Sequence, residues 1–261
     1  MTFLGILNSI LNPILLPLID WSPFWGIVIL SLLISLLVTL VYKYFTNQSE
    51  IKRLREEQKK YQGQLKELRD KPEEMMRIQK EMWKATADSM KYSLKAMLIT
   101  MIVVLPLFWW MNVHLSYEPI RPGEEFGVTA YFLEGSTGMV QLLADNQTIL
   151  LTPASQNLSG NTASWKLKGS TGEHNLSIKY NTITQEKPVL ISERHEYVEP
   201  TIINTSSALA QVQVSQNKLQ PLAEVFKGEV SIFGWKPGWL ALYFVLSLIF
   251  SLGLRKLLKV Y

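Results

Sequence analysis

The feature that most constrains this chain is an uncharged apolar stretch near its C-terminal end, from Pro237 to Leu254. As an α-helix rising 1.5 Å per residue it would be about 27 Å long, enough to cross the hydrocarbon core of a bilayer. Trp239 lies at its start, and Arg255, Lys256 and Lys259 follow its end. Since basic residues stay on the cytoplasmic side of a membrane helix, residues 236–261 are predicted to be a span followed by a cytoplasmic tail.

Two further stretches are also apolar, and the charges of the segments next to them predict the topology. Residues 21–45 and 93–114 are predicted to span the membrane, the second with Lys95 near its start. Residues 46–91 hold twelve Lys and Arg against nine Asp and Glu, whereas residues 116–232 hold eight against twelve. The positive-inside rule therefore predicts a multi-pass protein of the cell membrane, with its N-terminus outside and its C-terminus in the cytoplasm.

Two short segments are predicted to lie in the outer membrane interface. Residues 1–20 are apolar but broken by Asn8, Asn12, Pro13 and Pro17. A cleaved signal peptide is the rival interpretation, yet the segment lacks both a positive n-region and a small-residue cleavage site. Residues 218–235 form the second segment, in which Leu219, Leu222, Ala223 and Phe226 would share one helical face.

Residues 46–92 are predicted to form a cytoplasmic coiled-coil hairpin. Apolar residues recur there every seven positions, at Leu54, Tyr61, Leu68, Met75 and Met82, the spacing of a coiled-coil seam. Pro72 suits the first turn of a helix and Asp70 can cap it. We predict two helices, about 47–69 and 72–91; the alternative is one long kinked helix.

Residues 115–217 change to the period-two alternation of half-buried strands, for example Phe126, Val128, Ala130 and Phe132. Turn signals recur every 8–15 residues, which predicts an extracytoplasmic all-β sandwich of immunoglobulin-like type. Four glycosylation sequons in this region begin at Asn146, Asn157, Asn175 and Asn204, and they agree with an outside location. The predicted fold class is thus an α-helical membrane protein with an inserted β-sandwich.

The residue content argues against an enzyme. There is no cysteine, and the three histidines include His195 within Glu193-Arg-His-Glu196, which lacks a spaced partner motif for a metal. No glycine-rich phosphate loop, nucleophile elbow or paired-carboxylate motif is present. We predict no catalytic residue, no cofactor, no metal and no specific recognition of nucleic acid.

Polar residues in the three spans instead suggest a groove. Nearly all of them lie at the midplane or in the cytoplasmic half of their helix, whereas the outer halves hold almost none. The predicted groove residues are Ser31, Ser35, Thr39, Lys95, Thr100, Ser247 and Ser251. Each alone is also explained as a packing residue of a membrane helix, but their shared depth favours a hydrophilic pocket open to the cytoplasm.

Methionines supply a second signal, because six of the nine lie between residues 75 and 101. Flexible thioethers suit a surface that accepts varied apolar partners. Met75 and Met82 are explained by the seam, whereas Met90, Met97 and Met101 lead from the cytoplasm into the membrane. These three are predicted to form a hydrophobic slide for substrate.

The order of these parts resembles the YidC/Oxa superfamily of membrane protein insertases. It is most similar to the archaeal three-helix branch related to the insertase subunit of the ER membrane protein complex. The resemblance is carried by the Met-rich stretch from Glu81 to Trp110 and by Phe233-Gly-Trp-Lys-Pro-Gly-Trp-Leu-Ala-Leu-Tyr243 with Leu254-Arg-Lys-Leu-Leu258. It covers about residues 1–115 and 219–261 and says nothing of the sandwich.

The resemblance implies a non-enzymatic insertase or membrane chaperone that receives transmembrane segments through a cytoplasm-facing groove. Its implied partners are nascent membrane proteins, the lipid bilayer, the ribosome through the basic hairpin, and accessory subunits. Two alternatives stay open: a membrane-anchored adhesion or envelope-organising protein that acts through its sandwich, and a subunit of a larger transport complex.

Overall fold

The structure is a computed structural model that describes residues 3–68, 71–204, 207–228, 230–231 and 233–260. The chain divides into two compact units. The first contains the residues up to Phe24 together with Trp110–Trp239, and the second contains Trp25–Trp109 and the residues from Leu240 onward. The predicted helix cap at Asp70 lies outside the described residues, as do two residues of the sequon that begins at Asn204.

Six helices occur in the described part of the chain: α1 Phe3–Trp21, α2 Pro23–Phe45, α3 Gln48–Glu67, α4 Pro72–Leu115, α5 Pro221–Phe226 and α6 Trp239–Leu258. Three of them, α2, α4 and α6, are long and apolar enough to cross a membrane, with mean hydropathies of 2.7, 2.0 and 1.7 over their most apolar windows. The prediction of three apolar spans is therefore confirmed.

Helices α3 and α4 are separated by a short break, and local sequence explains where each begins. Asn47 caps α3 by accepting a hydrogen bond from the Glu50 amide at 3.3 Å. Pro72 starts α4, where its missing amide hydrogen costs no helical hydrogen bond. The side chains of Gln58 and Thr86 form a hydrogen bond of 3.3 Å between the two helices.

Helix α4 differs from its predicted form, because it continues for 44 residues without interruption. The sequence predicts that a hairpin helix ends near residue 91 and that a separate span follows. No glycine or proline lies between Pro72 and Pro106, so nothing breaks the backbone hydrogen-bond ladder at that point. Pro106 itself lies inside the helix.

The described residues of the β-domain form nine strands: β1 Phe126–Phe132, β2 Met139–Leu143, β3 Thr148–Leu150, β4 Ser155–Asn157, β5 Thr162–Gly169, β6 Gly172–Tyr180, β7 Ile183–Ile191, β8 Thr201–Ile203 and β9 Leu209–Val214. They form a five-stranded sheet in the order β3-β5-β1-β9-β8 and a four-stranded sheet in the order β4-β2-β6-β7. All pairings between the strands are antiparallel. The predicted all-β domain is confirmed.

Alternation along the strands places one face of each sheet in a common core. Val128, Trp165, Leu142 and Ile178 are almost fully buried there, and their strand neighbours point outward. The long hairpin β6–β7 turns through Asn181 in the left-handed conformation (φ 53°), which asparagine tolerates better than most residues. Pro188 lies in β7, an edge strand, where a missing amide hydrogen is least costly.

The segment before the third span is less helical than the sequence predicts. Helix α5 has only six residues and ends at Lys227 in the left-handed conformation. Leu219 is buried just before it, whereas Phe226 is 67% exposed. Leu219 therefore lies outside α5, and of the predicted face only Leu222, Ala223 and Phe226 are helical.

Candidate functional site

The polar residues of α2 lie on one buried face in the second unit. Ser31, Ser35 and Thr39 repeat every four residues and are 0%, 4% and 1% exposed. Thr39 Oγ1 donates to the Ser35 carbonyl at 2.7 Å, the usual back-bond of a hydroxyl in a helix. The Ser31 hydroxyl has no hydrogen-bond partner in the described part of the chain. A buried hydroxyl without a partner costs about 1–3 kcal/mol, so Ser31 is the unusual member of this face.

Helix α6 meets this face at one of the predicted serines. Ser35 Oγ donates to the Ser247 carbonyl at 3.4 Å, and the Ser247 hydroxyl bonds to the Phe244 carbonyl at 3.0 Å. Further along α6, the Arg255 guanidinium lies 5.4 Å from the centre of the Tyr42 ring. The structure thus brings two predicted groove residues, Ser35 and Ser247, into direct contact.

The predicted residues of α4 are not joined to that contact in the described structure. Thr100 is half-buried and back-bonds to the Ala96 carbonyl at 2.7 Å, while Lys95 is exposed. Ser251 of α6 is half-buried. Helix α4 instead meets α6 through the Phe108 and Tyr243 rings, whose centres are 5.1 Å apart edge to face. The contact between Ser35 and Ser247 therefore does not include Lys95, Thr100 or Ser251 among the described contacts.

The three methionines of the predicted slide are exposed on α4. Met90, Met97 and Met101 are 62%, 54% and 48% exposed. Met97 and Met101 belong to the apolar part of the helix, where lipid is the default neighbour. Met90 precedes that part and has Asp88 and Lys91 beside it, so its exposure is the more informative.

Sequence reasoning missed two members of this surface, Met76 and Trp83, each of which is 63% exposed. With Met90 and Met97 they recur every seven residues, and seven residues are close to two helical turns. All four therefore share one side of α4, which we call the methionine face. The signal was a second heptad column displaced by one position from Met75 and Met82.

A separate hydrogen-bonded cluster in the first unit joins the ends of helices to the β-domain. The Tyr197 hydroxyl accepts from the Ser116 amide at 3.1 Å and donates to the Asn112 carbonyl at 3.0 Å. Trp239 Nε1, at the start of α6, donates to Ser116 Oγ at 3.3 Å. Burial raises the pKa of Tyr197 to about 12. We call these four residues the Tyr197 cluster.

Helix α1 and the start of α2 are fixed in the same unit. The indole of Trp110, fully buried, donates to Asn12 Oδ1 at 2.7 Å. At the end of α1, Asp20 Oδ1 accepts from the His195 amide at 2.8 Å. Glu224 Oε2 accepts from the Phe24 amide at 3.2 Å, in the first turn of α2, where amide groups have no carbonyl partner within the helix.

His195 does not belong to a metal centre in the described structure. Burial and the neighbouring Arg121 lower its pKa, although Asp20 opposes that shift. Among the described residues, no group of three or more His, Asp or Glu side chains is placed to hold a metal ion. The surroundings of His195 contribute to the attachment of α1.

Comparison with known proteins identifies one family. The family described as "Integral membrane protein EMC3/TMCO1-like" matches residues 8–141. The matched region begins within α1, covers α2, α3, α4 and β1, and ends within β2, before α6. No curated protein and no solved structure matches the chain.

Proposed function

Since this chain belongs to the EMC3/TMCO1-like family of integral membrane proteins, we propose that it is a membrane protein insertase or chaperone. Family membership supports a role in membrane protein insertion in general and a multi-pass membrane location. The finer proposal is that transmembrane segments of newly made proteins enter through a cytoplasm-facing hydrophilic groove. It assigns no chemical step to the chain.

The observation that carries this proposal is the methionine face of α4. Its first three members, Met76, Trp83 and Met90, lie in the charged part of the helix, yet each is more than 60% exposed. Exposed side chains of that size in an aligned row indicate a surface that binds another apolar element. Because α4 continues unbroken into its apolar part, a bound segment would be led from water to lipid along one helix.

The groove would act on the polar end of such a segment. Carrying a charged or unpaired polar group into a bilayer costs several kcal/mol. Among the described residues the Ser31 hydroxyl has no hydrogen-bond partner, and the Ser35 hydroxyl makes a 3.4 Å hydrogen bond to the Ser247 carbonyl of α6. Separation of α6 from α2 would expose this face, with Thr39, Thr100 and Ser251 as further hydrogen-bonding groups and Lys95 as a cation.

Site-specific photo-crosslinking tests the proposal, with a control on the same helix. A photo-reactive residue at Trp83 or Met97 should capture newly made membrane segments during synthesis. Glu81 is also exposed but lies about 200° around the helix from Trp83, so a probe there should capture much less. A probe at Ser35 should capture the polar end of the substrate. Capture of lipid and the chain's own helices alone, from every position, would refute the groove.

The proposed topology places α3 and the charged part of α4 in the cytoplasm and the β-domain outside. Because the chain has no cysteine, single cysteines are unique labels. A membrane-impermeant maleimide should label Glu134→Cys in intact cells and should label Gln62→Cys only after the membrane is opened; both positions are exposed. The reverse pattern would invert the topology and remove the cytoplasmic entry.

The adhesion alternative differs from the insertase proposal in the role that it gives to the β-domain. We further propose that it is an immunoglobulin-like module that holds the outer ends of the helices, since the His195 and Tyr197 contacts join it to α1 and α4. Deletion of residues 118–216 separates the two functions. An insertase should retain part of its insertion activity, because the Trp110–Asn12 contact remains, whereas an adhesin should lose all function.

A further inference from the structure

We propose that the β-domain is an N-glycoprotein domain whose carbohydrate is carried by Asn146, Asn157 and Asn175, with Asn157 the acceptor that stays open after folding. The proposal rests on the outside location of the β-domain. Each asparagine begins an Asn-X-Ser/Thr sequence, the acceptor motif for this modification. The structure indicates which of the three motifs stays accessible once the domain has folded.

All three acceptor asparagines are exposed. A fifth match to the motif in the chain, Asn47-Gln48-Ser49, serves as an internal contrast. Asn47 Oδ1 accepts from the Glu50 amide at 3.3 Å and from the Ser49 hydroxyl at 2.7 Å. The Asn47 oxygen thus caps α3 and binds the Ser49 hydroxyl, and the proposed topology places this motif in the cytoplasm.

Two of the acceptors lie on the outer face of the four-stranded sheet. Asn157 of β4 is opposite Met139 of β2, and Met139 is 63% exposed. Asn175 of β6 alternates with the buried residues His174 and Leu176, so its side chain points away from the core. Carbohydrate on this face would cover exposed apolar side chains such as Met139.

Asn146 is near the same sheet, in the turn that leads from β2 to β3. The hydroxyl of its motif residue, Thr148, is bonded to Asp145 Oδ1 at 2.8 Å and faces His174 Nδ1 at 3.2 Å. Thr148 is 8% exposed. An enzyme that must bind this hydroxyl can reach it only before the turn closes.

The same reasoning separates Asn175 from Asn157. Asn175 pairs with Pro188 inside the long β6–β7 hairpin, and Leu176 within its motif is 0% exposed. It is therefore an acceptor only before that hairpin forms. Asn157 ends a three-residue edge strand, and its motif residue Ser159 is exposed. The folded domain leaves that motif accessible.

The reaction needs one co-reactant, an oligosaccharide linked through phosphate to a membrane polyprenol. The bond between the sugar C1 and the phosphate oxygen breaks, and a bond from C1 to the asparagine Nδ2 forms. The amide loses one proton, and the polyprenyl phosphate leaves with the bonding electron pair.

Mass spectrometry of the protein purified from its own membranes tests this assignment. Peptides that contain Asn146, Asn157 and Asn175 should carry glycan, and the peptide that contains Asn47 should carry none. Asn157→Gln and, independently, Ser159→Ala should each remove one glycan mass, since Ser159→Ala keeps the asparagine but loses the motif. Asn47→Gln should leave the mass of the glycans unchanged.

A second experiment tests the order of modification. Unglycosylated, folded protein in vesicles is given an oligosaccharyltransferase and its lipid-linked donor; Asn157 should be modified and Asn175 should not. If the asparagines are unmodified in protein whose Glu134→Cys variant labels from outside, the glycan proposal fails and the topology stands. If Asn47 is modified instead, the topology fails as well.

Discussion

Replacement of Ser31 by alanine should stabilise the folded protein, although the change removes a polar group from a membrane helix face that the groove proposal needs. The Ser31 hydroxyl is fully buried and has no partner among the described residues. Removing a buried, unpaired polar group recovers a desolvation cost of about 1–3 kcal/mol. The lost oxygen leaves a very small void, and the packing energy lost there is smaller than the desolvation cost that is recovered.

Ser35→Ala is the matched control, one helical turn away on the same buried face. Its hydroxyl does have a partner, the Ser247 carbonyl at 3.4 Å. Side-chain hydrogen bonds between membrane helices contribute about 0.6 kcal/mol on average, so this variant should be destabilised by about that amount. The two substitutions remove the same atom and are expected to change the free energy of unfolding in opposite directions.

Equilibrium unfolding in mixed detergent micelles, followed by the signal of the eight tryptophans, measures both changes. Insertion of a test protein with a polar terminal segment gives the second readout, in which Ser31→Ala should be slower than the wild-type protein despite its greater stability. If Ser31→Ala destabilises the protein as Ser35→Ala does, the hydroxyl has a structural partner and the reasoning is wrong. If it stabilises without slowing insertion, Ser31 plays no part in the groove.

Two further predictions concern the first unit. Tyr197→Phe should lower the free energy of unfolding by about 1–3 kcal/mol, because the Ser116 amide loses its acceptor and the Asn112 carbonyl loses a donor; thermal unfolding measures it, and unchanged stability would contradict it. Burial alone would raise the pKa of Asp145, but hydrogen bonds from Thr148 and His174 bring it below its usual value of 3.8. A carboxyl group whose pKa is lowered by folding stabilises the folded state at pH values above its unfolded-state pKa. That stabilisation is lost as the pH falls through the folded-state pKa. Acid unfolding of the β-domain should therefore be less steep below about pH 4 in Asp145→Asn, and an unchanged profile would contradict this.

The sequence predicts best the helices and strands whose surroundings stay the same along their whole length. The spans at α2 and α6 and the alternating strand β1 lie close to the predicted positions, because each has one consistent pattern of apolar residues. The predicted boundary between the hairpin and the second span, near residue 92, rests on a change of composition from charged to apolar. A change of solvent does not require a change of backbone, and α4 passes through it as one helix.

The candidate site was predictable in part for the same reason. Periodicity alone places Ser31, Ser35 and Thr39 on one face of α2, and their burial follows. Periodicity within one helix does not predict which neighbouring helix contacts that face, so the contact of Ser35 with Ser247 could not be predicted from the sequence. The Tyr197 cluster joins residues more than eighty positions apart, and no local pattern signals such a pairing.

The two units also differ in what joins their helices, and this difference bears on where a substrate could enter. In the first unit, α1 and the ends of α2 and α4 are fixed by hydrogen bonds of 2.7–3.2 Å to buried or backbone groups, at Asn12, Asp20, Phe24 and Asn112. In the second unit, α6 meets α2 and α4 through a 3.4 Å hydroxyl contact and two ring contacts. Long hydrogen bonds and ring contacts cost less to break than short bonds to buried groups. The 3.4 Å contact between Ser35 and Ser247 is the longest of these hydrogen bonds, and we therefore propose the boundary between α2 and α6 as the place where a substrate enters.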